Sequence, residues 1–494
     1  MKQKIDQSIL LEIEIASPLH VGAAAEQHWQ EGVDFFAHEG VTYVISLDNL
    51  SKEIEIDQLS NMLSTKNTRA ILNRVKSKLG SLAYKTFETK VSTEINRHTF
   101  SGFDGKPYLP SSSLKGAIRS VLLTYFLKES GLRSSEYKEQ KLIGGFENSV
   151  MRFLQFADVP FQDSVVVNSK IFNLQHNNEG GWKNGGNKTN DKLEESSFNT
   201  FYECIDVGAT GFTTFSYRSE QANNLINASM SHENKTNSPP KHTLPFFNSF
   251  SFENVFKIIN DHTIKYLGKE IAFFEKYQFD DTSRIMCESL KYLKEKAEGL
   301  DDTKACMLRM AAGSGFHSIT GDWQYDDFIN TGTHNGGRNH GKQKYKSRKV
   351  ALFTRDNIRY AEPLGFIILR KTSHEELLAQ ENAVLAGQAT AETQEAERLE
   401  TEQKAEAARI ETERLAAEEA KKPQMLDASP TNGLEVDAVV TQSKPTKVNI
   451  YLKGHEKKHI TMSECAAMPI GYICTVRLVV KKKNIERVIH IAPK

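Results

Sequence analysis

Residues that could act together on an anion stand between Pro107 and Arg119. Three serines follow Pro110, and a lysine and an arginine come next, one helical turn apart. Serine is favoured at the start of a helix, where backbone N–H groups lack partners, and the apolar spacing predicts a helix over about 113–128. Hydroxyls, N–H groups and cations would then meet in one small volume, which suits a phosphate. The alternative is an ordinary capped helix with solvated cations. The candidate ligands in this segment are Ser111, Ser112, Ser113, Lys115, Gly116 and Arg119.

A glycine-rich segment from Arg309 to Gly321 is the second candidate. Glycine lets a backbone approach a ligand closely, and consecutive N–H groups can bind an anion. An aromatic or imidazole ring in such a loop could stack on an unpaired base. The alternative is a tight turn with Phe316 in the core. The candidate ligands here are Arg309, Gly313, Gly315, Phe316 and His317.

A cationic arm at residues 335–349 is the third candidate. Residues 328–355 around it carry seven Lys and Arg and no acid. Basic runs are often only solvated surface, but the absence of any neutralising acid favours contact with a polyanion. The candidate ligands in the arm are Arg338, Lys342, Lys344, Lys346 and Arg348.

Motifs for enzyme chemistry are scarce. The sequence has no P-loop, no dinucleotide fingerprint and no Cys/His spacing typical of a metal site, so we expect neither a cofactor nor a metal. Asp34 follows a polar loop and could assist phosphodiester cleavage, and His20 could act as a general base. A lone acid after a loop is usually structural. We therefore expect no catalytic residue, with Asp34 and His20 as weak candidates.

The chain of 494 residues predicts more than one domain. Its formal net charge of zero hides opposite segments: residues 374–421 hold 13 acids against 5 Lys and Arg, whereas residues 444–494 hold 11 Lys and Arg against 3 acids. We predict an α+β domain at 1–373, an acidic Ala/Glu-rich helical linker at 374–423 and a small basic β domain at 424–494 that resembles an OB-fold barrel.

Several elements are predicted within these domains. Alternating residues predict a strand at 9–16, and a second strand is expected at 42–47. Helical regions are expected near 57–86 and 251–300, with a strand pair near 350–369. The absence of a signal peptide or membrane-length apolar run, together with five scattered cysteines, predicts a cytoplasmic protein without membrane contact.

Three segments resemble, in order, motifs of the RAMP superfamily of CRISPR-associated RNA-binding proteins. Ile15 to Gly22 resembles the opening strand and turn, Pro107 to Arg119 the central motif, and Gly313 to Gly321 the late glycine-rich loop. Ser111 stands where the family usually has glycine, so the turn geometry differs from that of the family. The order and spacing, over about residues 8–370, are most similar to the fifth subunit of type III-A (Csm) effector complexes.

The resemblance implies a ferredoxin-like (RRM-type) core with insertions, stacked in a filament along a guide RNA. The fifth subunit caps the filament toward the 3′ end of the guide and is associated with guide maturation through recruited cellular nucleases. The implied partners are the guide RNA, other RAMP subunits, target RNA and host nucleases. The resemblance implies RNA binding by the candidates of all three segments and by His20.

Three functions remain open at this point. The leading hypothesis is a non-enzymatic RNA-binding subunit of a type III CRISPR ribonucleoprotein in antiviral defence, with contacts mostly to phosphate and sugar. The second is a RAMP-family endoribonuclease that uses Asp34 or His20. The third is a scaffold that acts chiefly through the linker and the C-terminal domain.

Overall fold

The computed structural model describes most of the chain outside its long polar segments. The described residues are 6–131, 142–145, 149–174, 180–184, 188–194, 196, 198–230, 243–277, 280–311, 329–330, 342–343, 348–355, 358–379, 401, 404, 408–415, 419, 422–455, 459–463, 466–482 and 484–494. They form two compact units, Met1–Leu377 and Leu378–Lys494.

The described helices of the first unit include four short ones near the N-terminus and, after residue 110, four long ones and one short one. They are α1 (Leu47–Ser51), α2 (Ile56–Ser64), α3 (Thr68–Val75), α4 (Leu79–Leu82), α5 (Ser111–Ser130), α6 (Ser219–Met230), α7 (Leu244–Asn248), α8 (Phe252–Lys276) and α9 (Asp281–Glu298).

Strands of the first unit are mostly short. They are β1 (Gln7–Ile15), β2 (Trp29–Gln30), β3 (Phe35–His38), β4 (Val41–Val44), β5 (Lys85–Phe87), β6 (Glu94–Asn96), β7 (Tyr108–Leu109), β8 (Leu154–Phe156), β9 (Val159–Pro160), β10 (Val165–Leu174), β11 (Gly180–Asn184), β12 (Lys188–Asn190), β13 (Thr200–Cys204), β14 (Thr210–Tyr217), β15 (Ala305–Arg309), β16 (Ile329–Asn330), β17 (Lys342–Gln343), β18 (Arg348–Arg355), β19 (Ile358–Glu362) and β20 (Phe366–Thr372).

A first sheet has the order β15–β20–β1–β14–β8, and each neighbouring pair in it is antiparallel. Its central strand β1 alternates buried Leu11, Ile13 and Ile15 with more exposed residues, which confirms the strand predicted from the alternation. One face of this sheet packs against α5 and the first half of α8 in a single apolar core.

A second sheet has the order β12–β11–β10–β13–β6–β2, and β18 joins it beside β10. Its strands are antiparallel except for β13 and β6, which run parallel. β19 continues from β18, so the predicted strand pair near 350–369 is in fact the three strands β18, β19 and β20.

Helix boundaries follow local capping. Ser251 accepts a hydrogen bond from the backbone of Asn254 at the start of α8, and Asp280 forms a capping box with Ser283 at the start of α9. The predicted helical region at 251–300 is thereby two helices. The region predicted near 57–86 is α2, α3 and α4, and the predicted strand at 42–47 ends at Val44 because α1 starts at Leu47.

The second unit contains a closed barrel of five strands. They are β21 (Glu435–Ser443), β22 (Thr446–Ile450), β23 (Ile460–Ser463), β24 (Ile473–Lys481) and β25 (Asn484–Pro493). The barrel was expected from the short alternating strands, and its presence is confirmed. The predicted helical linker lies mostly outside the described residues, although 408–415 are helical. Among the described residues, no helix has the length and apolar character needed to cross a membrane.

Candidate nucleic-acid interface

Two of the three motif segments meet through the backbone of Gly365. Its N–H donates to the carbonyl of Pro18 at 2.9 Å, and its carbonyl accepts from the N–H of Met310 at 2.7 Å. Gly365 has φ +87°, and an added Cβ would lie 2.0 Å from the carbonyl oxygen of Met310. Only glycine permits this approach, which places the turn after β1 beside Met310, near the start of the segment from Arg309 to Gly321.

The imidazole of His98 joins the first motif segment to the helix segment. Its Nδ1 accepts from the backbone N–H of Val21 at 3.1 Å, and its Nε2–H donates to the carbonyl of Tyr108 at 3.0 Å. The ring is fully buried, and this burial lowers the pKa of His98 to about 4. A neutral histidine therefore links the turn after β1 to the strand that precedes α5.

The buried carboxylate of Glu203 holds the backbone of His98 in place. Glu203 accepts from the N–H of His98 at 3.1 Å, from the Lys85 ammonium at 2.9 Å and from the Ser164 hydroxyl at 2.6 Å. Arg97 lies 3.8 Å from the same carboxylate. Burial alone would raise the pKa of Glu203, but the two cations and Ser164 hold it below its usual value. We call these five residues the Glu203 cluster.

Arg97 is also enclosed by aromatic rings. Its guanidinium carbon lies 4.2 Å from the ring centre of Trp29 and 3.6 Å from that of Phe100. Burial lowers the pKa of Arg97. Stacking on aromatic faces stabilises desolvated cations of this kind. Arg97 thereby connects the Glu203 cluster to Trp29 on β2.

His20 belongs to the interior and not to the interface. It is 3% exposed, its Nδ1–H donates to the backbone carbonyl of Glu203 at 2.7 Å, and its ring centre lies 4.5 Å from that of Tyr202. Burial lowers the pKa of His20 to about 4. The ring of His20 is thus used inside the fold, and its assignment to RNA binding stays a prediction.

Helix α5 begins at Ser111, two residues earlier than predicted, with Pro110 at the N-cap and no side-chain cap. The backbone N–H of Ser111 donates to the carboxylate of Asp158 at 2.7 Å. The serines therefore form the first helical turn and do not cap it. An acid from the loop after β8 already binds the helix start, where the sequence predicted an exogenous anion.

Lys115 is a partly desolvated cation on α5. Its side chain is half-buried, and the loss of solvent lowers its pKa. Within the described part of the chain, no acidic side chain forms an ion pair with it. Gly116 beside it leaves open space where a side chain would stand, and Arg119 follows one turn later. A desolvated ammonium without a carboxylate favours an anion from outside.

Arg309 lies next to the same helix. Its guanidinium carbon is 4.6 Å from the ring centre of Tyr266 and 5.3 Å from that of Phe366. It lines a small cavity between α5 and α8 together with Ser120 and His262. The structure therefore brings Arg309 to the helix that carries Lys115.

Arg348, the last predicted ligand of the cationic arm, lies inside the fold, and its role in RNA binding stays a prediction. It is 9% exposed, and its Nε–H donates to the buried carboxylate of Glu270 at 2.9 Å while its guanidinium stacks on Phe273. The neighbouring Lys349 donates to the hydroxyl of Tyr202 at 2.9 Å. The basic run therefore ends inside the protein, and Arg348 is an interior ion-pair partner.

Other predicted ligands of the loop and the arm lie outside the described residues. Lys342 is described only as part of the short strand β17, and its side chain is not among the described groups. The remaining residues in this class are Gly313, Gly315, Phe316, His317, Arg338, Lys344 and Lys346.

Asp34 has a local structural role. Its carboxylate accepts from the backbone N–H of Gln30 at 2.8 Å, and its carbonyl accepts from Ile45 at 2.9 Å. The first bond closes the turn between β2 and β3, and the second joins this turn to the residue after β4. Across the described residues, no group of three His, Cys, Asp or Glu side chains is arranged to hold a metal ion.

Sequence reasoning missed the Glu203 cluster. No motif marks Lys85, Arg97, His98 or Ser164, because they come from three segments far apart in the sequence. The only signal was Glu203 itself, a single acid in the otherwise buried strand β13. Pairing between distant strands creates the cluster, so its members are recognised only in three dimensions.

Replacing Gly365 with alanine should destabilise the first unit by about 2–5 kcal/mol, since a Cβ would overlap the Met310 carbonyl at a positive φ. Gly208→Ala is the matched control, because Gly208 has φ +84° with nothing within 4 Å of an added Cβ. The control should cost about 1–2 kcal/mol. Urea unfolding measures both, and equal losses would contradict the close approach.

Acidification should destabilise the protein through His20 and His98. Their pKa values are about 4 in the folded protein and 6.5 in the reference state, so the stabilisation is complete above pH 6.5 and is lost as the pH falls toward 4. Between pH 7.5 and 5.5 each histidine should cost about 1.3 kcal/mol, measured by urea unfolding. His98→Gln should reduce the number of protons taken up on unfolding near pH 5 by about one relative to the wild type. An equal uptake in the variant and the wild type would contradict the assignment.

Comparisons with known proteins agree with the motif order. The sequence model of the RAMP superfamily matches residues 12–386. T. onnurineus Csm5 has a TM-score of 0.46 and 14% identity, with 72% of this chain and 99% of that chain covered.

Two structures of complexes are also similar. A chain of the Csm–crRNA–target RNA ternary complex of a type III-A CRISPR-Cas system has a TM-score of 0.46 and 15% identity, covering 74% of this chain and 100% of that one. A chain of the type III-B Cmr-beta complex bound to cognate target RNA has a TM-score of 0.19 and 14% identity, covering 46% and 51%. No curated protein sequence matches significantly. Because the family model covers well over half of the sequence, the chain belongs to the RAMP superfamily.

Proposed function

We propose that this chain is an RNA-binding subunit of a type III CRISPR effector ribonucleoprotein that binds and caps the guide RNA toward its 3′ end. In this role it supports guide maturation and complex assembly in antiviral defence. The observation that carries the proposal is the half-buried Lys115 on α5, whose pKa is lowered by lost solvent and which has no acidic partner among the described residues. This cation stands in the most specific RAMP motif of the chain.

The anion that fits this site is a backbone phosphate. A phosphate beside Lys115 restores the favourable charge environment that partial burial removes. Asp158 already binds the N–H of Ser111, so the phosphate lies toward Lys115 and Arg119 and not over the serine hydroxyls. A filament that accepts any guide contacts phosphate and sugar, because these groups carry no sequence information.

The proposed core is ferredoxin-like. The sheet order β20–β1–β14–β8, read with α5 after β1 and α8 after β14, supports this assignment. β15 adds a further strand at the edge beside β20. The sheet formed by β10 and β13, with β18 beside it, is then an insertion into this core.

The proposed partners are the guide RNA, other RAMP subunits, target RNA and host nucleases. The similar structures include a chain of a type III-A Csm complex with crRNA and target RNA, and T. onnurineus Csm5. The proposal rests on family membership and on the cationic helix. Arg309 is assigned to the same RNA path because it lies against α5.

Lys115→Ala should weaken binding of a labelled guide RNA about 5- to 10-fold, because one phosphate contact is lost. The log–log salt dependence should become shallower by about 0.7. Lys128→Ala, on the exposed last turn of the same helix, is the matched control and should leave affinity unchanged. Fluorescence anisotropy across a potassium chloride series measures both. Equal affinity of Lys115→Ala and the wild type would contradict the phosphate assignment.

Purified protein should leave labelled guide RNA intact over hours, because Asp34 closes a turn and His20 is buried and neutral. Denaturing gel electrophoresis of the incubated RNA checks this. Cleavage by the wild type that Asp34→Ala abolishes, with binding retained, would favour the endoribonuclease alternative.

A further inference from the structure

The barrel of the second unit has a specific strand order. The strands close as β21–β22–β23–β25–β24, and β23 runs parallel to β25 while every other neighbouring pair is antiparallel. This is the arrangement of a five-stranded Greek-key barrel of the OB type, in which the outer face of the second and third strands commonly binds oligonucleotides. Topology alone does not assign a function, so the side chains must decide.

The barrel interior is filled, so a ligand can bind only outside. Alternate residues of β22 point inward as Val448 and Ile450, and the turn that follows adds the buried Leu452. Lys447 and Asn449 therefore project from the outer face of β22. On β23, Ile460 and Met462 are buried while Thr461 is exposed.

A polar row crosses three strands on this outer face. Lys447 is directly opposite Thr461 in the β22–β23 register. Met462 is opposite Val488 on β25, which places Arg487 next to Thr461. Two cations thus stand at the two sides of a hydroxyl, about 10 Å apart at the strand spacing.

Cations of the barrel divide into two classes. On the opposite side, Arg477 pairs with Glu435 at 2.7 Å and Lys494 pairs with Asp437. The remaining class has no ion-pair partner among the described residues and comprises Lys444, Lys447, Lys481, Lys482 and Arg487. Lys444 lies in the turn before β22, Lys481 ends β24, and Lys482 lies in the turn before β25. Cations without an ion-pair partner among the described residues therefore flank the face at both ends.

An imidazole is fixed on the same face. His459 is exposed, its backbone N–H donates to the amide oxygen of Asn449 at 3.0 Å, and its Nδ1 lies 3.1 Å from the Thr441 hydroxyl. Its φ is +57°, a conformation that costs free energy for a residue with a Cβ. The first hydrogen bond fixes the backbone of His459 beside β22, and the second orients the ring, which can then stack on a base.

From this arrangement we propose that the outer face of β22 and β23 is a binding site for a single-stranded polynucleotide. Lys447 and Arg487 bind successive backbone phosphates, the lysines of the two flanking turns extend the path, and His459 stacks on a base. The face is indifferent to sequence, since its charged groups recognise phosphate. The site lies in the second unit and does not depend on the function proposed for α5.

Crosslinking to the full-length protein tests the site. A single-stranded 4-thiouridine RNA and the corresponding 4-thiothymidine DNA are irradiated with the protein, and the crosslinked peptides are identified by mass spectrometry. Crosslinks should fall within residues 441–487 for at least one of the two strands, and the comparison shows which sugar is preferred. A duplex competitor should remove these crosslinks at least tenfold less effectively than an unlabelled single strand.

The decisive variant is Lys447→Ala with Arg487→Ala, which should reduce crosslinks in the barrel about tenfold. Arg477→Ala with Lys453→Ala is the matched control, because it removes two exposed cations that are ion-paired elsewhere on the barrel. Crosslinks in residues 1–377 should be unchanged in both variants, which separates this site from the one on α5. Thermal unfolding verifies that both variants are folded.

Several outcomes would overturn the proposal. One is the absence of barrel crosslinks with both the RNA and the DNA probe, which would favour a protein partner for this face. Another is an equal loss of barrel crosslinks in the two double variants, which would show that binding depends only on net charge. Equal competition by duplex would exclude single-strand recognition.

Discussion

The first unit depends on the neutralisation of one buried carboxylate. Glu203 sits on β13 and takes hydrogen bonds from three directions, from Lys85, from Ser164 and from the backbone of His98. A buried charge without such partners would be strongly destabilising, so these contacts must form together. Since His98 in turn bridges Val21 to the strand before α5, the carboxylate fixes the position of the candidate interface without touching it.

Charge is used in two ways in this protein. Arg348 and Lys85 form ion pairs with buried acids, and these pairs hold strands together. Lys115, by contrast, is partly desolvated and lacks an acidic partner among the described residues. The same division recurs on the barrel, where Arg477 is ion-paired and Lys447 has no ion-pair partner in the described part of the chain. A basic residue therefore indicates a polyanion site only when its surroundings leave its charge uncompensated.

Histidine shows why residue type alone misleads. His20 and His98 look in sequence like a general base and an unremarkable polar residue, yet both are buried, neutral and hydrogen-bonded to main-chain groups. The low pKa of each follows from burial, which disfavours the charged ring. The stability of the fold therefore depends on pH, and His20 is engaged in a hydrogen bond within the core.

The sequence by itself determined the elements with regular periodicity and the order of the motifs. The alternation in β1, the apolar face of α5 and the short strands of the barrel are local patterns, and family membership followed from motif order. Tertiary structure decided which cations are available. Arg348 was indistinguishable from its neighbours until Glu270 was placed beside it, and Asp158 reached the start of α5 only through folding. Pairing partners come from distant positions, so the charge state of a site is a property of packing and not of spacing.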